Sequence, residues 1–203
     1  MWEKERFYRS DLIKKLFFII KVFFIYQLST SICLADVQEK IIDKLLTTQT
    51  LTFNFNQKIS EKEEKGNCFI KYPLLMKCNY QNLKQKTIIS NGKTVAIIKK
   101  KYKKIYYYPI KTTPLFFILQ KEKIMNLIRK NQPEEVNSKL VKFQFIDKKN
   151  NNIQIFFDKN SLEFKGWKTL DAYSNEVNFS ISNLKINTKI ADKFFRIPEE
   201  KDL

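Results

Sequence analysis

The sequence predicts a mainly β protein (α+β): an incomplete antiparallel β-barrel of ten to eleven strands with an N-terminal helix and a helical insertion lying over a hydrophobic cavity. Three observations predict it. From Leu51 onward apolar and polar residues alternate over most of the chain, which is the period of a half-buried strand. Turn signals recur between these runs, among them Pro73, Asn91-Gly92 and several Asn- and Lys-rich stretches. Helical spacing replaces the alternation only at residues 36–50 and between Pro109 and Asn137. An antiparallel sheet of this length must curl or close. The two apolar helical segments are then available to cover its concave side.

The first 35 residues read as a cleavable signal peptide. Lys4, Arg6, Arg9, Lys14 and Lys15 precede an apolar run, Leu16–Leu28, whose one charged residue is Lys21. Ser29-Thr30-Ser31 and Cys33-Leu34-Ala35 follow. Basic region, short apolar region and a small residue at the end is the layout of an export signal, with cleavage expected after Ala35. The run is shorter than the ~20 residues of a comfortable membrane span. An uncleaved anchor is the rival reading. Residues 36–203 then form one domain, with no repeat or linker inside it.

Asp36 to Thr50 reads as an amphipathic helix: Val37, Ile41 and Leu45 are spaced by four, with Ile42 and Leu46 beside them and Asp36 placed to cap the start. Leu51, Phe53 and Phe55 then mark the first strand. Gly66–Tyr72 and Leu74–Tyr80 flank Pro73 as a hairpin, because proline cannot donate within a ladder. Ile88–Ser90 and Thr94–Ala96 flank Asn91-Gly92, a strong hairpin signal. A turn in Lys99–Lys104 leads to a strand over Ile105–Tyr108, completing a six-strand meander. Thr113-Pro114 reads as an N-cap with proline at the first helical position, followed by a very apolar Leu115–Leu119. Four strands resume at Leu140–Asp147, Ile153–Asp158, Leu162–Leu170 and Glu176–Ile186.

Composition removes several classes of chemistry. There is no histidine, and only three glycines in 203 residues, too few for a phosphate-cradling loop or a dinucleotide fingerprint. No catalytic or metal constellation is expected, and no cofactor. The 38 basic residues against 21 acidic ones fit either a Lys/Asn/Ile/Phe codon bias or attraction to an anionic surface. The run Lys99–Lys104 with Tyr106–Tyr108 interleaves basic and aromatic residues, but an exported protein is not expected to meet nucleic acid. A solvated hairpin turn is the default there, and a docking patch for an acidic partner or anionic lipid comes second. Cys68 and Cys78 lie five residues either side of Pro73. In that hairpin they face each other across neighbouring strands, so a disulfide is expected in an oxidising compartment.

Specific residues resemble the LolA family of lipoprotein carriers. Phe53-Asn54-Phe55-Asn56-Gln57 is similar to the family's Phe-x-Gln strand, and Gly66 through Pro73 to its Gly-strand-Pro hairpin. Tyr80 and Ile88-Ile89-Ser90-Asn91-Gly92-Lys93 resemble the next strands and turn. Tyr107, Pro109, Thr113-Pro114-Leu115 and Ile118-Leu119 resemble the strand and helix that follow. Trp167-Lys168-Thr169-Leu170-Asp171, Leu184-Lys185-Ile186-Asn187, Phe194 and Pro198 fit the family's ending. The fragments agree in order over residues 37–198.

The resemblance implies a monomeric periplasmic carrier that takes acylated lipoproteins from an inner-membrane ABC transporter of the LolCDE type and delivers them to an outer-membrane receptor or an anionic membrane surface. By parity, Phe53, Phe55, Ile70, Met76, Val95 and Ile97 would line the lipid cavity, and Leu115, Phe116, Ile118 and Leu119 would form the lid. Each also fits ordinary core packing; the resemblance weighs most for Met76 and Thr113–Leu119. The family commonly places an arginine before the hairpin proline as a polar latch on the lid. Here that latch position is Tyr72, which implies a lid held more by apolar contact. The alternatives are a lipid-binding or envelope-stress-sensing protein of the same fold, or a lipid hydrolase.

Overall fold

The computed structural model describes residues 37–83, 85–135, 139–146, 152–171 and 174–203. The expected signal peptide and the Asp36 cap lie outside them. The chain divides into two units, Met1–Val37 and Gln38–Leu203, and the second contains the sheet. Its strands are β1 (Thr50–Ile59), β2 (Lys62–Lys71), β3 (Leu75–Tyr80), β4 (Lys86–Asn91), β5 (Thr94–Lys99), β6 (Lys104–Pro109), β7 (Glu134–Glu135), β8 (Leu140–Ile146), β9 (Asn152–Asp158), β10 (Phe164–Leu170) and β11 (Glu176–Ile186). Helix α1 covers residues 37–47; α2 is Leu115–Ile118 and α3 is Lys121–Lys130.

All eleven strands belong to one antiparallel sheet in the order β6-β5-β4-β3-β2-β1-β11-β10-β9-β8-β7. β1 pairs with β11, joining two meanders into one surface, and β6 and β7 are left as edges. The barrel is therefore incomplete. Glycines admit the close packing at its centre. A Cβ on Gly66 would lie 2.0 Å from the Asn79 carbonyl oxygen and 2.7 Å from the Phe55 ring. Gly166 has φ +140°, and its Cβ would meet the Phe179 carbonyl oxygen at 2.0 Å. Gly66 thus lets the Phe55 ring, stacked on Phe179 at 4.8 Å, lie against bare backbone, and Gly166 lets β10 and β11 approach closely. Trp167 stacks on Phe179 at 4.0 Å, and Phe164 on Trp167 at 5.9 Å.

Several elements differ from the sequence reading; strands β2, β4 and β5 are longer than expected, and four further differences have a local cause. α1 stops at residue 47 instead of running to Thr50. The Thr48 hydroxyl donates to the Lys44 carbonyl at 2.7 Å, and the Gln49 N–H leaves the helix for the Asn187 side chain at 2.8 Å. Such side-chain bonds offer the backbone an alternative to the next helical turn. β10 starts at Phe164 because Asp158 organises the preceding turn, its carboxylate accepting from the N–H groups of Asn160 and Ser161 at 3.0 and 2.8 Å. The Thr113 hydroxyl caps no helix. It donates backward to Ile110 at 2.9 Å, and Pro114 takes the cap position of α2 in αR geometry. Finally, β7 falls in the segment read as helix and loop; two residues pairing with β8 show no period.

The tail after β11 crosses the sheet's outer face. Lys71 donates to the Ile190 carbonyl at 3.1 Å and to Asp192 at 2.6 Å. Phe194 packs edge-on against Phe69 at 4.9 Å. Ile197 and Leu203 cover a cluster of Ile89, Ala96, Ile98 and Ile105. The β4–β6 region thus has apolar cover on its outer side as well as apolar residues on its inner one.

Candidate functional site

The register places the expected cavity residues on one face. Phe53 pairs with Cys68, Cys68 with Cys78, Cys78 with Ile88, Ile88 with Ile97 and Ile97 with Tyr106. The parallel row runs through Leu51, Ile70, Met76, Ser90 and Val95. Phe53, Phe55, Ile70, Met76 and Val95 are buried, whereas Ile97 is half-buried and Tyr106 is 44% exposed. Cover therefore thins toward the β6 edge. Cys68 and Cys78 form a disulfide across the β2–β3 hairpin with Cα atoms 4.1 Å apart.

Helices α1 and α3 are clasped at both ends. Near the end of α1, the Lys121 ammonium donates to the Leu46 and Thr48 carbonyls at 3.0 and 2.9 Å. At the other end, the buried Gln38 amide donates to the carbonyls of Ile128 and Asn131. Each helix thus supplies a side chain to orphan carbonyls that the other cannot satisfy alone. α2 is held to the sheet by one backbone bond, from the Leu74 N–H to the Leu119 carbonyl at 2.9 Å. Ile118 and Leu119 are buried, while Leu115 and Phe116 are half-buried.

Tyr72 sits in the turn beside that bond. Its N–H donates to the Gln49 carbonyl at 2.9 Å. Among the described residues its hydroxyl makes no hydrogen bond, and burial pushes the phenol above its usual value. Lys71, one residue away, faces outward to the C-terminal tail.

Among the described residues, an apolar open volume lies further along. A cavity of about 560 Å³ separates α2 and α3 from the β8–β10 end of the sheet. Phe116, Phe117 and Leu127 wall it from the lid, and Phe145, Ile153 and Thr169 from the sheet. Phe117 and Phe145 meet across it with ring centroids 5.3 Å apart. Of the expected cavity and lid residues, Phe116 lines this space; Phe53, Phe55, Ile70, Met76, Val95 and Ile97 do not. The sequence reading assigned no cavity role to Phe117, Leu127, Phe145 or Ile153. Their signal was present: Phe143 and Phe145 alternate in β8, and Ile153 and Ile155 in β9.

A half-open apolar space between a curled antiparallel sheet and a short helical lid is a binding geometry. Over residues 46–198 the chain matches the family described as Outer membrane lipoprotein carrier protein LolA. The chain belongs to the LolA family. No curated protein matches it. Among solved structures, an uncharacterized conserved protein from Thermus thermophilus is similar at 10% identity and TM-score 0.51, covering 81% of this chain and 94% of that one. This LolA-family chain is also similar to a LolA superfamily protein from Nitrosomonas europaea (8% identity, TM-score 0.43, 81% of this chain and 97% of that one). A third similar structure is a Pseudomonas aeruginosa MucA/MucB complex (9% identity, TM-score 0.47, 81% of this chain and 62% of that one). At these identities the likeness concerns fold alone.

Proposed function

We propose that this LolA-family protein is a periplasmic carrier and not an enzyme. It binds the acyl chains of lipoproteins leaving an inner-membrane transporter of the LolCDE type, and it delivers them to the outer membrane. The observation behind this reading is the apolar cavity of about 560 Å³ beneath a lid held by few polar bonds. An acyl chain in water costs about 0.8 kcal/mol per exposed methylene, so an anchor needs cover in transit. Release needs that cover to open, and a lid with few polar bonds has few such bonds to break in passing between two populations.

The same reading places residues 1–35 as an export signal cleaved near Ala35, and the Cys68–Cys78 disulfide suits the oxidising compartment that export reaches. Delivery would use an outer-membrane receptor or an anionic bilayer. The β6 edge suits the latter, with Tyr102, Tyr106, Tyr107 and Tyr108 exposed beside Lys100, Lys101, Lys103 and Lys104.

Purification of the protein from the periplasm of its own cells, with mass spectrometry of what accompanies it, tests the reading. Acylated lipoproteins should be recovered, and should pass to acceptor vesicles in vitro. Recovery of no acylated protein, with no uptake of a synthetic lipopeptide, would overturn the reading.

A further inference from the structure

The cavity under the lid has a charge feature that an electroneutral lipoprotein anchor leaves unused. Lys111 and Lys123 both line it, and among the described residues of its wall none is acidic. Among the described residues neither lysine has an ion-pair partner. The Lys123 ammonium lies 3.9 Å from the centroid of the Phe116 ring, so a positive charge stands at the boundary of the apolar wall. On the sheet side Thr169 is only 6% exposed, and its hydroxyl oxygen is buried without a hydrogen-bond partner. Buried polar atoms are nearly always satisfied, and the exceptions mark places that a ligand or water completes.

We propose that this cavity takes an amphiphile with an anionic head, a fatty acid or an acidic phospholipid. The chain lies against Phe117, Leu127, Phe145 and Ile153, and the head sits between Lys111 and Lys123. The volume falls within the ~300–1,000 Å³ of small-ligand pockets, a size suited to one acyl chain with the lid closed. Two unpaired cations at the mouth of an apolar space attract an anion whose tail the walls desolvate. Low dielectric strengthens that attraction over its value in open water. This inference rests on the reading of the cavity as an acyl site and adds the charge of the head.

Displacement of a fluorescent acyl probe tests it on the unaltered protein. Four competitors are compared: palmitate and lysophosphatidylglycerol, with methyl palmitate and monopalmitoylglycerol as their neutral partners. At least one anionic member should compete roughly tenfold better than its neutral partner, a difference of the size of one charge-assisted bond. Preference confined to palmitate identifies a free fatty acid; preference confined to lysophosphatidylglycerol identifies a membrane lipid. The double variant Lys111→Met, Lys123→Met should bring each pair to parity while still binding the probe. Equal competition by all four with the unaltered protein would overturn the anionic head and leave the acyl site standing. Failure of the probe and of all four to bind would overturn both.

Discussion

The backbone N–H of Leu74 donates to the Leu119 carbonyl at 2.9 Å, tying the β2–β3 turn to the end of α2. That bond holds the short helix, and the side chains of Gln38 and Lys121 hold the longer one. The lid is consequently fastened at three identifiable points, two of which are accessible to substitution. Lys121→Met and Gln38→Leu should each lower stability by about 1 kcal/mol, the net worth of an ordinary hydrogen bond. Hydrogen exchange should speed up over residues 115–130 and stay unchanged in β1 and β11. Uniform acceleration across the sheet would mean that the clasp supports the whole fold and not the lid.

The Cys68–Cys78 bond closes a small loop inside an existing hairpin. Loop-closure entropy for such a loop amounts to roughly 2–3 kcal/mol. The double variant Cys68→Ala, Cys78→Ala should fold, with its denaturant midpoint lowered accordingly. Unchanged urea denaturation on reduction of the native protein would refute a stabilising role.

This hairpin was legible because its signals are local. Pro73 fixes the turn, and the two cysteines stand equally far from it. Asn91-Gly92 was legible for the same reason, with the Asn91 side chain accepting from the Lys93 and Thr94 N–H groups at 3.1 and 2.9 Å. The cavity was not, since it depends on Phe117 and Phe145 meeting from elements 28 positions apart by residue number. Alternation marked Val95 and Ile97 as one face, but Ala96 and Ile98 are more buried because Ile197 and Leu203 fold back over them. Nothing local in the strand announces that cover.

Because of this, substitutions at the two sets of apolar residues should separate. Met76 is 3% exposed in the packed core. Met76→Glu buries a carboxylate there at a cost of several kcal/mol, so a large fall in Tm is expected. Leu127 is half-buried on the cavity wall. Leu127→Glu should keep Tm within a few degrees while abolishing uptake of an acyl probe. Normal uptake by Leu127→Glu would place the acyl site elsewhere on the concave face.

Glu64 and Lys86 form a largely buried ion pair, with side chains 9% and 18% exposed, beside the Tyr80 ring. Burial pushes the Glu64 carboxyl up, but the Lys86 hydrogen bond and charge, with Asn82 and Lys62, outweigh it and leave it below its ordinary 4.5. A carboxylate with a depressed folded value contributes stability above its unfolded value and loses it as pH falls through the folded one. The window therefore lies below about pH 5. Lys86 has the same slope in a different window: burial holds it below 10.5 despite Glu64, so stability rises again with pH as it loses its proton on the way to that value. Glu64→Gln should cost about 1–3 kcal/mol at neutral pH by leaving Lys86 without a charged partner. It should also lose less stability than the native protein between pH 5 and 3. Parallel acid limbs for the two proteins would show that the pair does not govern that window.

Tyr72 occupies the position where the resemblance implies an arginine latch, next to the Leu74–Leu119 bond. Its hydroxyl has no hydrogen-bond partner among the described residues, and its ring is half-buried. Tyr72→Phe removes only that hydroxyl, so Tm and the rate of lipopeptide transfer to acceptor vesicles should stay close to native. Tyr72→Arg brings five donors in place of one, close to the carbonyls at the end of α2. A charge-assisted bond there would contribute roughly 1.5–3 kcal/mol to the closed state. Closed-lid protein binds cargo less readily, because the binding-competent fraction falls. Exchange over residues 115–119 should slow, and acyl-probe uptake should weaken in proportion. If Tyr72→Phe alone halted transfer, the phenol would be the latch in the loaded state, and a lid held by apolar contact and backbone bonding would be the wrong account.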